Sequence, residues 1–257
     1  MRTRYVIGLI AVVVLAFGGW FIYENLFDTD APDELTTEAA LTQLETDLTG
    51  GDVDEPETEA APVADTSNDP RTVEGVWTVD DEFGDFDFQT ASGSFAGFRV
   101  AKTLFTGGGV TAVGRTGGVT GEVTITEGAL SSASIVVQMA EIVSDESRRE
   151  SAIQDTVKAR DFPTAAFAVT APVAVDTDAL PAGETVAATV TGDLTIAGVT
   201  NSEEISIDAT IPSDGVGLII GSAELVWADY GIDAPDSLSG TVADEGILEF
   251  QLVVRLG

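Results

Sequence analysis

From Val73 to the C-terminus the chain is written in short runs that alternate apolar and polar residues, separated by Gly, Pro, Asp and Asn. A period of two is the signature of a β-strand with one buried and one wetted face. Val119, Val123 and Ile125 share a parity against Thr120, Glu122, Thr124 and Thr126, and Ile135, Val137 and Met139 repeat it in the next run. Val186, Ala188, Val190, Leu194 and Ile196 oppose Thr189, Thr191, Asp193 and Thr195, and Ile205, Ile207 and Ala209 oppose Glu204, Ser206, Asp208 and Thr210. In the last run Leu248, Phe250, Leu252, Val254 and Leu256 lie on one face, with Glu249, Gln251 and Arg255 on the other. Such strands form an antiparallel sheet wetted on one side, whose apolar face has to be covered. The single helical candidate in this region, from about Asp145 to Arg160, cannot blanket many strands. Either two sheets pack face to face or one sheet closes on itself, and periodicity does not choose between them.

The N-terminus carries a different signal. Arg2 and Arg4 precede an apolar run from Tyr5 to Tyr23, closed by Glu24. About 20 apolar residues cross a bilayer as a helix, Trp20 and Tyr23 sit where interfacial aromatics are favoured, and the positive flank stays in the cytoplasm. A cleaved signal peptide would have a shorter apolar run and a small-x-small exit, whereas Gly18-Gly19 is followed by Trp20-Phe21-Ile22-Tyr23. The expectation is a single-pass cell-membrane anchor over 5–23, with 1–4 cytoplasmic and the rest extracytoplasmic. Residues 24–70 contain no Lys or Arg and are rich in Asp, Glu, Thr, Ala and Pro. They read as an acidic, disordered linker or stalk, with one short helix conceivable over Leu35–Leu48, where Leu41, Leu44 and Leu48 share a face. The domain then spans 71–257.

Charge excludes several functions. The formal net charge is −33, with lysine only at 102 and 158. Nucleic acid and anionic lipid surfaces are poor partners for such a chain, and the balance suits a surface working in high salt. The chain has no cysteine and no histidine, which removes disulfides, imidazole bases and the usual zinc ligand sets. Without histidine the serines have no customary base, and Lys102 and Lys158 lack a nucleophile motif. A non-catalytic protein with no cofactor and no metal is expected. Asp80, Asp81, Glu82, Asp85 and Asp87 match no EF-hand spacing. Glycines 107 to 109, 114, 117 and 118 lack the lysine of a phosphate loop and read as a hairpin.

Several segments carry a family resemblance. Gly75-Val76-Trp77-Thr78-Val79, Ser94-Phe95-Ala96-Gly97-Phe98-Arg99-Val100 and Val113-Gly114-Arg115-Thr116 are moderately specific, as is Asp161-Phe162-Pro163-Thr164-Ala165-Ala166-Phe167. The strongest are Gly192-Asp193-Leu194-Thr195-Ile196-Ala197-Gly198-Val199-Thr200 and Trp227-Ala228-Asp229-Tyr230-Gly231-Ile232. Across Val73–Leu256 the chain resembles the YceI-like polyisoprenoid-binding family, in the form of its membrane-anchored actinobacterial members. Two departures stand out: Glu150 replaces the aspartate of the family's arginine-acid pair, and the histidine that many relatives carry after it is missing. The resemblance implies an all-β, closed antiparallel, lipocalin-like barrel of about eight strands with one short helix. It also implies a polyisoprenoid or similar apolar lipid as partner inside the barrel.

Inward parity and aromatic clustering then nominate the candidate lining. From the early strands come Phe98, Val100 and Phe105, from the middle runs Val137 and Met139, and from the helix region Ile153, Phe162, Phe167 and Val169. The later strands add Val190, Leu194, Ile196 and Ile207, then Trp227, Phe250 and Leu252. A hollow barrel needs small inward residues, for which Ala188, Gly192 and Ala209 are the candidates. A structural or adhesion ectodomain with a filled barrel and no ligand is the alternative, and interior volume decides between the two.

Overall fold

The computed structural model describes residues 31–49, 73–81, 83–90, 92–144, 147–213, 215–234 and 240–257. The expected anchor over 5–23 lies outside the described residues. Among the described residues no helix is long and apolar enough to cross a membrane.

Twelve strands form a single antiparallel sheet: β1 (Gly75–Val79), β2 (Phe95–Leu104), β3 (Gly109–Thr116), β4 (Val119–Thr126), β5 (Ala129–Gln138), β6 (Thr164–Val169), β7 (Val173–Ala174), β8 (Val186–Ile196), β9 (Val199–Ser213), β10 (Val216–Val226), β11 (Gly240–Val242) and β12 (Glu245–Leu256). Eight of them close a ring in the order β1-β4-β5-β6-β8-β9-β10-β12, sealed where Trp77, Thr78 and Val79 pair with Leu256, Arg255 and Val254. Closure answers the question that periodicity left open, and it removes the ring's exposed edges. One flank of β12 is shared. Its C-terminal part pairs with β1, while Ile247–Gln251 pair with the first half of β2, whose second half pairs with β11 on that same side and whose far side carries β3.

Local chemistry fixes the tight hairpins. Ile196 faces Val199 across the two residues Ala197 and Gly198, at φ 51° and 78°. Two positive φ values make the primed turn whose twist matches the flanking strands, and glycine takes the second at no steric cost. The barrel has two unlike ends. The hairpin end gathers the β2–β3 and β8–β9 turns, a short helix (Ser147–Thr156) and the 3-10 turn Trp227–Tyr230; the terminal end holds the β4–β5 and β9–β10 turns and the C-terminus.

The wetted outer face expected of the sheet holds for most of the barrel and fails across β2, β3, β10 and β12. There Phe95, Arg99, Arg115, Leu218, Ile220, Glu249, Gln251 and Val253 are all buried. Part of the cover is a second helix, Thr37–Thr49, inside the segment expected to be a solvated stalk. The Thr36 hydroxyl accepts from the Ala39 backbone N–H at 3.3 Å and caps its start. Ala40 and Leu44 are buried against Val216, Leu218, Ile220 and Val253, and the Thr37 hydroxyl donates to Asp208 at 2.7 Å. The stalk reading of 24–70 is therefore corrected over 31–49, which form a strap on the barrel wall. Alone the helix would be marginal; the apolar strip on β10 and β12 holds it.

Candidate functional site

Inside the ring lies a cavity with an all-apolar side-chain lining, supplied by β2, β4, β5, β6, β8, β9, β10 and β12 and by the hairpin end. The cavity has a volume of about 140 Å³. Twelve of the sixteen candidates from parity and aromatic clustering line it: Phe98, Val137, Met139, Phe167, Val169, Val190, Leu194, Ile196, Ile207, Trp227, Phe250 and Leu252.

Four do not. Phe105 sits in the β2–β3 turn, 71% exposed. Phe162 is also exposed, lying beside the Ala197-Gly198 turn. Val100 is buried but away from the cavity, and Ile153 packs on the core from the end helix without reaching the lining. That helix is shorter than Asp145–Arg160, and the next segment delivers Val157 to the cavity instead. Phe105 and Phe162 were placed by composition, since a turn has no parity to say which way a ring points. The Phe86 and Phe95 rings also miss the cavity, packing 6.2 Å apart on the outer side, where Arg115 lies 4.7 Å over Phe95.

The space does not arise where the sequence pointed. Ala188 and Ala209 are outside the lining, and Gly192 is occupied: a methyl group there would collide with the Phe167 ring. The same happens between Gly221 and Phe250, and between Gly246 and Trp227. These rings lie on the wall where a Cβ would stand, so they spend little of the lumen, and Ala96, Gly97, Ala133, Ala165 and Ala166 complete a shallow lining. Ala96 with Gly97, and Ala165 with Ala166, are consecutive in their strands, so a period of two could not pick them out together. The closed ring keeps an apolar cavity inside it.

Polar chemistry is kept on the outside. Arg99 Nε and Arg115 Nε each donate to Glu249 at 2.7 Å. Arg99 also donates to the Pro32 carbonyl at 2.7 Å and to the Asp33 carbonyl, and Arg115 to the Phe88 carbonyl at 3.1 Å. Burial pushes the Arg115 guanidinium below its ordinary value while Glu249 pulls it back. Two cations share one carboxylate, and main-chain carbonyls of the strap and of the segment before β2 take the remaining N–H groups. The cluster faces away from the cavity. At the hairpin end the Tyr230 hydroxyl donates to Glu203 at 2.7 Å, and burial, then that bond, raises the phenol above its usual range. Among the described residues no group of acidic side chains is arranged to hold a metal ion; Asp80 pairs with Arg255 and Asp87 accepts from Gln89 and Thr90.

A closed antiparallel barrel around an apolar lumen is the frame on which the comparisons bear. The model of the YceI-like domain matches residues 77–254. The chain belongs to the YceI-like domain family. The segments that carried the resemblance fall on β1, the β2–β3 pair, the start of β6, the β8–β9 hairpin and the Trp227–Tyr230 turn. Among solved structures, a polyisoprenoid binding domain from Saccharophagus degradans is similar at a TM-score of 0.54 and 16% identity, covering 70% of this chain and 98% of its own. BcnA from Burkholderia cenocepacia gives 0.48 and 19%, with 62% and 95% covered. The Campylobacter jejuni YceI protein gives 0.43 and 18%, with 56% and 84% covered. At 16% identity the likeness to the Saccharophagus degradans domain shows the fold alone. No curated protein matches the chain.

Proposed function

We propose that this YceI-like protein is a non-catalytic carrier that holds an apolar lipid, a polyisoprenoid, in its barrel while an N-terminal helix keeps it at the outer face of the cell membrane. One observation carries the reading: the cavity is lined by apolar side chains throughout. A polar substrate would leave its hydrogen-bonding groups unmatched there, whereas an apolar chain loses only water contact. The family, and the polyisoprenoid-binding description of the Saccharophagus degradans domain, support an isoprenoid over other apolar chains. The anchor rests on the run from Tyr5 to Tyr23 behind Arg2 and Arg4. Purification of the full chain from its membrane, followed by solvent extraction and mass spectrometry, tests the ligand. One polyisoprenoid per chain is expected. A protein that is repeatedly empty and does not take up added polyprenol overturns the reading.

A further inference from the structure

Large exposed apolar side chains are not spread evenly over the barrel. Phe105, Phe162, Val199 and Val226 all stand at the hairpin end, on the β2–β3 turn, before β6, at the start of β9 and at the close of β10. Of the other three among the described residues, Ile247 is on the wall at the level of Arg99, and Val76 and Leu48 lie toward the terminal end. Both lysines of the chain, Lys102 and Lys158, are at the hairpin end too, with Arg149 and Arg160, although the chain carries a net charge of −33. Turn-borne aromatics beside long cationic side chains are the makings of a surface that enters a lipid headgroup layer. The acids of this end, among them Asp155, Asp161, Asp229, Asp233, Asp244 and Glu245, are exposed and fit a zwitterionic leaflet better than an anionic one.

A second, independent observation is the length of chain outside the structure. Arg99 grips the Pro32 and Asp33 carbonyls, so the free tether between the apolar run and the barrel is the eight steps from Glu24 to Pro32, not the whole of 24–70. Eight residues span at most about 28 Å. From the level of Arg99, the six strand steps to Phe105 cover about 20 Å, and the nine from its partner Ile247 to Leu256 about 30 Å. Of the two ends, the hairpin end is the one that reaches the bilayer without a fully stretched tether.

We propose that the hairpin end of the barrel docks on the outer leaflet, with Phe105, Phe162, Val199 and Val226 entering the headgroup layer of a zwitterionic phospholipid surface. The docking rests on the anchored reading above. It brings the part of the cavity lined by Val157, Ile196, Trp227 and Ile232 to the membrane side.

The absence of cysteine makes the test clean. Phe105→Cys and Val199→Cys at one end, and Val76→Cys and Asp178→Cys at the other, are each labelled with bimane in the full chain. The labelled chains are reconstituted in phosphatidylcholine vesicles with and without doxyl-labelled phosphatidylcholine. All four positions are exposed, so labelling does not disturb the core. Labels at 105 and 199 are expected to be quenched about threefold or more above those at 76 and 178, as insertion into the headgroup layer requires. Equal quenching at both ends, or none at either, overturns the docking. Polyprenol extracted from the same vesicle-bound protein separates the two readings. Lipid bound without quenching sinks the docking alone, and quenching with an empty barrel sinks the ligand reading alone. A full chain that fails to float with the vesicles removes the anchor and the docking together.

Discussion

Glu249 is the residue on which the outer wall turns. It is 3% exposed, between an Arg99 and an Arg115 that are both buried, and it supplies the side-chain carboxylate of the cluster. Replacing it with glutamine keeps the shape and leaves two buried guanidinium groups with no counter-charge. Glu249→Gln is expected to cost about 3–5 kcal/mol, the usual penalty for breaking a buried ion pair from one side. The midpoint of denaturant unfolding checks this, and a loss under about 1 kcal/mol would show that the main-chain carbonyls suffice. Tyr230 gives a pH test. Its phenol is held above its ordinary value, so stability is fully present below about pH 10 and falls as the unfolded chain ionises first. Tyr230→Phe is expected to lose about 1.5–3 kcal/mol at neutral pH, the worth of a hydrogen bond to a carboxylate, and to show a smaller alkaline drop. An unchanged alkaline drop in the variant would assign it to other tyrosines.

Among the elements, the strap helix and the glycine-bearing strands show how far a pattern can be read alone. The spacing of Leu41, Leu44 and Leu48 did foretell a helix, yet it is Ala40 and Leu44 that are buried, while Leu48 is 39% exposed. The face that packs is set by the apolar strip formed by Val216, Leu218, Ile220 and Val253, which lies well over a hundred residues along the chain. Leu44→Glu is expected to release the strap while the barrel persists. Hydrogen exchange would then rise over 37–49 and stay slow in β8, β9 and β12; simultaneous loss of protection in those strands would make the strap part of the barrel's cooperative unit. Gly192 tests the lining. A methyl group there collides with Phe167 and with the Ala168 carbonyl, so Gly192→Ala is expected to cost about 1–3 kcal/mol by overpacking and to push the ring into the lumen. Extracted lipid per chain should fall with it. Phe167→Ala combined with Gly192→Ala should cost less than the two single losses added together; simple additivity would mean that ring and glycine are not in contact.

Across the whole molecule, charge works against the fold. With a net charge of −33, self-repulsion destabilises the compact state unless counter-ions screen it. Raising sodium chloride from about 0.1 M to about 1 M cuts the screening length from about 10 Å to about 3 Å, and the melting temperature is expected to rise. A flat or falling melting temperature would mean that the carboxylates are too dispersed to strain the barrel. The sequence by itself determined the strands, their inward parity and the tight turns, because pleat and turn geometry depend on neighbours a few residues apart. It also nominated most of the lining, since parity carries over from strand to lumen in a closed ring. Only the tertiary structure decided that the ring closes through β1 and β12, that Glu249 and Gln251 on the polar face of β12 are buried, and that rings seated on glycines leave the lumen open. Each of these rests on contacts between segments far apart in the chain, such as Arg99 with Glu249 across 150 residues, and no local period encodes which distant segment will cover a given face.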